Sequence, residues 1–391
     1  PCIIRPVNDG EYIYMILPIR MKEKNSFPQK RYNMLITNLK IKNFRNYKEL
    51  NINFNNNINI FYGNNAQGKT NIIESIFFSA IGKSFRTNKD KELIKFGEDF
   101  FKIETLYKKN DRDGSINIEV SDKKNIFLNG VKAKKLSELL GKINVVIFTP
   151  DDINILKNGP KGRRRFLDIM IGQLRPNYIY CLNMYNKILE QRNTYLKQIK
   201  FEKKDPKLLE LWDLKLTEYS EKIFNYRLYF IEKIKNKIVD IHKNITKNNE
   251  EIYLEYISDF SSKEDFYSKL LEYRNIDIAR GNTSKGVHRD DFILYLNKNN
   301  VSTYGSQGQN RTVVLSLKMS ELQVIKDEIG ENPILLLDDF MSELDNERRK
   351  NFLSNIRDTQ VIITCTDKLD IESLDYYMYN VINGEIFFKN K

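Results

Sequence analysis

The sequence is poor in the residues that build covalent or metal-held scaffolds. Its 391 residues include three cysteines (Cys2, Cys181, Cys365) and two histidines (His242, His288). No two cysteines form a C-x-x-C pair, so neither a disulfide framework nor a zinc knuckle is supported, and a reducing cytoplasm is expected. His288, with no second histidine nearby, makes a poor metal site. Long apolar runs are missing too. None approaches the roughly 18 residues a membrane-spanning helix needs, and the early stretch 12–19 has no small-residue cleavage site behind it. A soluble chain without a membrane partner is expected. No heptad pattern persists over many turns, which excludes a long coiled coil. The single tryptophan, Trp212, sits among Leu208, Leu209, Leu211, Leu214 and Leu216 and reads as packing rather than base stacking.

What is abundant is positive charge. The formal net charge is +12. The basic excess lies ahead of residue 285, and 285–391 is net acidic. Such a balance fits a polyanionic partner such as DNA. A lysine-rich composition with no partner fits it equally well. Hydrophobic residues at 41% and charged residues at 30% are ordinary for a globular chain of two or three packed units.

Hydrophobic periodicity organises the chain. Residues 34–62 alternate as strands, with a turn at Asn55-Asn56-Asn57. From Thr70 to Ile81 the period becomes helical. Residues 100–149 return to strands, with a hairpin turn at Asn129-Gly130 and a buried strand over 144–149. From about 161 to 275 the character is helical, bracketed by Gly159-Pro160 and Gly281-Asn282. The tail reads strand 292–296, helix 310–328, strand 333–338, helix 345–356, strand 360–365, an α/β alternation.

Two motifs carry chemistry. Gly63-Asn64-Asn65-Ala66-Gln67-Gly68-Lys69-Thr70 fits G-x-x-x-x-G-K-[ST] between an apolar strand and a helix. Glycines let backbone N–H groups turn toward phosphate oxygens, and the following helix N-terminus favours anions. Lys69 is placed for the β- and γ-phosphates of ATP, and the Thr70 hydroxyl for Mg²⁺. Pro333-Ile334-Leu335-Leu336-Leu337-Asp338-Asp339 is a buried strand ending in two carboxylates. Asp338 is placed to hold Mg²⁺, and Asp339 to orient the attacking water. Lys69, Asp338 and Asp339 are therefore the candidate catalytic residues. Ser306-Gln307-Gly308-Gln309 precedes a helix and could donate to a phosphate or cap that helix. Ser342-Glu343-Leu344-Asp345 reads as a helix cap.

The motifs Lys42-Asn43-Phe44-Arg45-Asn46-Tyr47, Gly63 to Thr70, Gly159-Pro160, Arg163-Arg164-Arg165-Phe166-Leu167-Asp168, Gly286-Val287-His288-Arg289-Asp290-Asp291, Ser306-Gln307-Gly308-Gln309-Asn310-Arg311 and Leu337-Asp338-Asp339 occur in this order. From Met34 onward the chain resembles the bacterial RecF family. The resemblance implies an α/β, ABC-type P-loop ATPase head, related to those of chromosome-maintenance (SMC-type) ATPases, with an inserted helical arm. It implies ATP and Mg²⁺ as cofactors and ATP-dependent homodimerisation on double-stranded or gapped DNA. It also implies weak, DNA-stimulated hydrolysis, recombinational repair and RecR with RecO as partners. By the family's motif, Ser306 to Gln309 contact ATP held by the other subunit, and the stretch from Ser342 lies across that interface. The division expected is 34–150 and 285–391 for the head and 151–284 for the arm. Residues 3–20 resemble the last strands of a bacterial DNA sliding clamp, so 1–33 reads as a dispensable extension.

Two departures bear on rate. Asp339 stands where ABC transporters usually have Glu, and Thr364-Cys365-Thr366-Asp367 stands where a switch histidine is common. Arg45 could reach the nucleotide or be a strand-end cation. The arginines at 163–165 could touch DNA or sit in an internal salt-bridge network. An ABC-type ATPase subunit of another assembly is the alternative reading. Against a transporter subunit stand Asp339 and the helical insertion. Against a compact P-loop kinase stands the long separation between Lys69 and Asp338.

Overall fold

The computed structural model describes residues 34–247, 249–343, 352, 358–366 and 376–389. They belong to one unit that begins at Tyr32. The clamp-like stretch 3–20, Leu344 and Asp345, the helix expected at 345–356 (apart from Phe352) and Asp367 lie outside the described residues.

Alternating burial makes the first strands. β1 (Leu35–Phe44) and β2 (Tyr47–Asn53) form a hairpin that turns at Arg45 and Asn46. The all-buried β3 (Ile58–Tyr62) leads into α1 (Lys69–Ile81). Next come β4 (Phe101–Lys109), β5 (Arg112–Val120), β6 (Lys124–Leu128), β7 (Val131–Lys132) and β8 (Val145–Phe148). The helices that follow are α2 (Asn154–Lys157), α3 (Pro160–Leu174), α4 (Pro176–Glu202) and α5 (Leu209–Thr246). After β9 (Ile252–Ile257) come α6 (Lys263–Glu272) and α7 (Arg274–Arg280). Then follow β10 (Asp291–Leu296), β11 (Asn299–Asn300), α8 (Val301–Tyr304) and α9 (Gln307–Ile329). The chain closes with β12 (Ile334–Asp338), β13 (Val361–Cys365), β14 (Tyr376–Ile382) and β15 (Glu385–Lys389).

Three sheets result. One is antiparallel, in the order β2-β1-β4-β5-β6-β7. The second has the order β15-β14-β3-β13-β12-β8 and is parallel except for β15. The third is β11-β10-β9. β9 adds a strand to the stretch from about 161 to 275, which was expected to be helical in character. Only Ile252 and Leu254 are buried on it, too short an alternation to stand out in a tyrosine- and glutamate-rich helical stretch.

The parallel sheet is apolar on both faces, which explains the continuous hydrophobic runs. Leu335, Leu337, Val361 and Ile363 face a core shared with α3, α4, α5 and α9. Ile334, Leu336 and Ile362 face a second core that contains α1 and the antiparallel sheet. α1 is thus clamped between two sheets, which fixes the loop ahead of it. Trp212 packs on Tyr195 with ring centroids 4.8 Å apart, as its leucine-rich neighbourhood suggests. No helix among the described residues is long and apolar enough to cross a membrane.

Candidate nucleotide site

The loop between β3 and α1 is built from backbone conformations that exclude most side chains. Gly63 has φ +150°, and a Cβ there would lie 2.4 Å from the Val381 carbonyl oxygen of β14. Gly68, at φ +111°, caps α1. A Cβ on it would meet the Asn46 side chain at 2.5 Å and the Tyr47 hydroxyl at 2.8 Å. The loop is gripped from two sides. Asn46 Nδ2 and the Gly384 N–H both donate to the Gln67 carbonyl, at 3.1 and 3.2 Å. The Asn383 N–H donates to Gln67 Oε1, and the Tyr47 hydroxyl to the Gly68 carbonyl.

Lys69 Nζ lies against the loop, donating to the carbonyls of Gly63 (2.6 Å) and Asn64 (3.0 Å). The Thr70 hydroxyl donates to Asp338 Oδ1 at 2.8 Å, across 268 residues of sequence. The Thr364 hydroxyl donates to the same oxygen at 2.8 Å and accepts from the Asp339 N–H at 3.0 Å. Thr364 therefore touches both acids. Burial pushes the Asp338 carboxyl above its ordinary pKa, opposed by the bonds from Thr364 and Thr70, while the Asp339 charge adds to the rise. Asp339 holds φ +47°, a backbone conformation uncommon for a residue with a Cβ.

One buried carboxylate near the loop had escaped notice. Glu74 of α1 is fully buried. It accepts both Nε and NH2 of Arg45 (2.9 and 2.8 Å), Arg86 (3.3 Å) and the Ser84 hydroxyl. The signal was a carboxylate inside the apolar face Ile72-Ile73-Glu74-Ser75-Ile76. Arg45 is thus tied to Glu74 and to the Glu92 carbonyl, behind the loop.

Ser306 is the N-cap of α9. Its hydroxyl accepts from the Gln309 N–H (3.2 Å), and Gln309 Oε1 accepts from the Ser306 N–H (3.0 Å), a capping box. Ser306, Gln307 and Gly308 are exposed, and a Cβ on Gly308 would meet nothing within 4 Å. Among the described residues no hydrogen bond joins this segment to the loop at Gly63–Thr70. The structure brings Lys69, Thr70, Asp338 and Asp339 together and leaves Ser306–Gly308 exposed, with Gln309 Nε2 donating to Glu250 at 2.9 Å.

The three arginines fasten elements to one another. Arg163 grips Asp291 through Nε (2.6 Å) and NH2 (2.8 Å), Arg164 donates to the Asp290 carbonyl, and Arg165 to the Ser84 carbonyl. His288 Nε2 must donate to the Thr283 carbonyl (3.1 Å), because a carbonyl only accepts, so Nδ1 accepts from the Tyr185 hydroxyl (2.6 Å). Burial lowers its pKa to about 4, with Arg289 and Arg164 adding to the fall and Thr283 and Asp277 opposing it. Below the ordinary value of 6.5 the unfolded chain takes up a proton that the folded chain refuses. Stability contributed by neutral His288 is then complete above pH 6.5 and lost as pH falls toward 4. Chemical denaturation across this window should show up to about 3 kcal/mol more loss for the wild type than for His288→Gln. Parallel profiles would contradict the assignment.

The loop has what a phosphate group needs: inward backbone, a helix N-terminus and an ammonium. A threonine hydroxyl bonded to a carboxylate suits a magnesium ion that keeps most of its ligands as water and phosphate. Comparisons agree. Residues 35–384 match the RecF/RecN/SMC N terminal domain. A Clostridium tetani protein described as DNA replication and repair protein RecF is 45% identical over 368 residues, covering 90% of this chain and 99% of that one. Its counterpart in Clostridium kluyveri is 47% identical over 346 residues, covering 87% and 94%. A solved structure of the recombination mediator protein RecF with ATP, in the RecFOR pathway, superposes with TM-score 0.89 at 37% identity, over 93% of this chain and all of that one. The Smc head domain from Pyrococcus furiosus shares the fold, at TM-score 0.53 and 19% identity over 91% of this chain and 96% of that one. The architecture is an ABC-type P-loop ATPase head with mixed sheets and added helices, and with relatives this similar along nearly its whole length the chain belongs to the RecF family.

Proposed function

We propose that this protein is an ATP-switched DNA-binding ATPase of recombinational repair and replication restart. It acts in the cytoplasm at gapped DNA, with RecR and RecO as partners. The observation that carries the reading is the division of the site. Gly63–Thr70, Asp338 and Asp339 form one cluster, while Ser306–Gly308 is exposed and Ser306–Gln309 makes no hydrogen bond to that cluster. A second copy supplies the missing half, so ATP binding joins two heads. The helices within 151–284 serve as the arm beside the head segments 34–150 and 285–391.

Lys69 exchanges the loop carbonyls for phosphate oxygens, and the glycine loop supplies N–H donors. Thr70 and Asp338 would hold Mg²⁺, which when bound neutralises charge on the β- and γ-phosphates. Thr364 keeps Asp338 oriented for that task and fixes the backbone of Asp339. Asp339 orients the attacking water, and its short side chain holds the carboxylate back, consistent with slow hydrolysis. Binding, more than turnover, is then the switch.

The test is the solution mass of the full chain with Mg-ATP, with and without gapped duplex. Wild type should dimerise only with ATP and retain DNA. Lys69→Ala should lose ATP binding and the dimer together. Ser306→Arg should keep ATP binding and lose the dimer. A wild type that stays monomeric and retains no DNA would overturn the reading in favour of an ABC-type ATPase subunit of another assembly.

A further inference from the structure

The far end of the α4–α5 hairpin has a composition that the nucleotide site does not explain. Residues 200–208 are exposed without interruption. They include Phe201, 74% exposed, and five lysines lie close together at 197, 200, 203, 204 and 207 against Glu202 and Asp205. Both acids are engaged. Glu202 pairs with Lys204 at 3.3 Å, and Asp205 accepts from the Lys207 N–H at 2.9 Å as a helix cap. No carboxylate pairs with Lys197, Lys200, Lys203 or Lys207 among the described residues. The end is nonetheless firmly built. The Lys203 N–H closes α4 on the Ile199 carbonyl, and the Tyr195 hydroxyl donates to the Asp205 carbonyl. Tyr195, Leu196, Ile199 and Leu209 pack into a small core of their own. Phe201 is therefore held out on an ordered support. Lys200 Nζ sits over its ring at 5.3 Å, and most of the side chain stays accessible.

From this geometry we infer that the α4–α5 tip is a single-stranded nucleic-acid contact, with an unpaired base stacked on Phe201 and phosphates held by the surrounding lysines. Aromatic rings interleaved with lysines bind single strands because every base has a π-face and every linkage an anion. A base stacked on Phe201 would lie among the lysines at 197, 200, 203, 204 and 207, which are close in sequence to the ring. Duplex bases are stacked on each other, so a duplex engages only the lysines. The exposed Leu208, Leu211 and Leu214 nearby make a protein partner the competing occupant.

The inference rests on the DNA-binding reading above. Labelled oligothymidylate and a matched duplex would be titrated with the full chain in Mg-ATP, between about 50 and about 200 mM salt. Phe201→Ala should weaken oligothymidylate about tenfold or more and leave the duplex nearly unchanged. Phe201→Tyr should restore most of the loss. Lys200→Glu with Lys203→Glu should weaken both ligands and flatten the salt dependence. Retained ATP binding in each variant would show that the head is intact. A wild type that binds neither DNA would sink the parent reading. A wild type that binds oligothymidylate as tightly as Phe201→Ala and the double lysine variant would overturn the tip site alone and assign the patch to a protein.

Discussion

Gly63→Ala is expected to abolish ATP retention and to lower stability by roughly 3–5 kcal/mol, from backbone strain and overpacking together. The new methyl would lie 2.4 Å from the Val381 carbonyl oxygen. That atom belongs to the backbone of β14, which is paired in parallel with β3, so it cannot swing away as a side chain could. The positive φ compounds the clash. Gly68→Ala makes a useful contrast. Its φ is also positive, but its closest neighbours are the flexible end of Asn46 and the Tyr47 hydroxyl. It should retain a folded head with weakened nucleotide binding. Equilibrium ATP binding together with thermal melts would separate the two. A Gly63→Ala protein with wild-type affinity would show that β14 yields where the sheet register says it cannot.

Arg227→Met should destabilise the protein by about 3–5 kcal/mol, because it strands the buried Asp290 carboxylate, and the half-buried Asp168 beside it, without a counter-charge. Arg227 of α5 is fully enclosed. NH1 donates to the Val287 carbonyl (2.6 Å) and Asp290 Oδ2 (3.0 Å), NH2 to Asp168 (3.1 Å) and Nε to the Tyr178 hydroxyl (3.0 Å). Asp290 also accepts from Tyr256 (2.6 Å) and Ser258 (2.9 Å). One guanidinium thus ties α3, α4, α5, the β9 strand with its following turn, and the segment 287–290. Arg227→Lys should rescue little, since an ammonium cannot reproduce a planar fork with partners on several sides. Adding Asp290→Asn to Arg227→Met should recover part of the loss by removing the stranded charge. A melting temperature within a degree or two of wild type for Arg227→Met would show that water reaches this cluster.

The clustering of the candidate site was largely legible in the sequence, because its information is local. Gly63 to Thr70 needs a strand, a turn and a helix in immediate succession, and the five apolar residues ahead of Asp338 announce a strand buried on both faces. What was not legible is who partners whom. Arg163, Arg164 and Arg165 are visible as charge, but whether they meet DNA or carboxylates depends on Asp291, the Asp290 carbonyl and the Ser84 carbonyl, 81 to 128 residues away. Arg45 gave the same ambiguity until Glu74 appeared beside it. Thr364 was overlooked because a hydroxyl in a run of β-branched residues reads as strand propensity. The strand end at Arg45 was legible, but that the chain turns back there as a hairpin was not, because no glycine or proline marks the turn. β9 was hidden by its surroundings, since two buried aliphatics cannot outvote the helices on either side.

The order of strands in the parallel sheet has a consequence for synthesis on the ribosome. β3, which launches the phosphate loop, is flanked by β13 and β14, and Gln67 is held by Asn383 and Gly384 from the far end of the chain. At about 5–20 residues per second these neighbours emerge roughly 15–60 s after β3 itself. Until then β3 has neither side of its ladder, Thr70 lacks Asp338, and the loop lacks half of its clasp. A chain truncated ahead of β12 is therefore expected to retain no nucleotide, and ATP retention by such a chain would show that the loop closes without its late-made clasp.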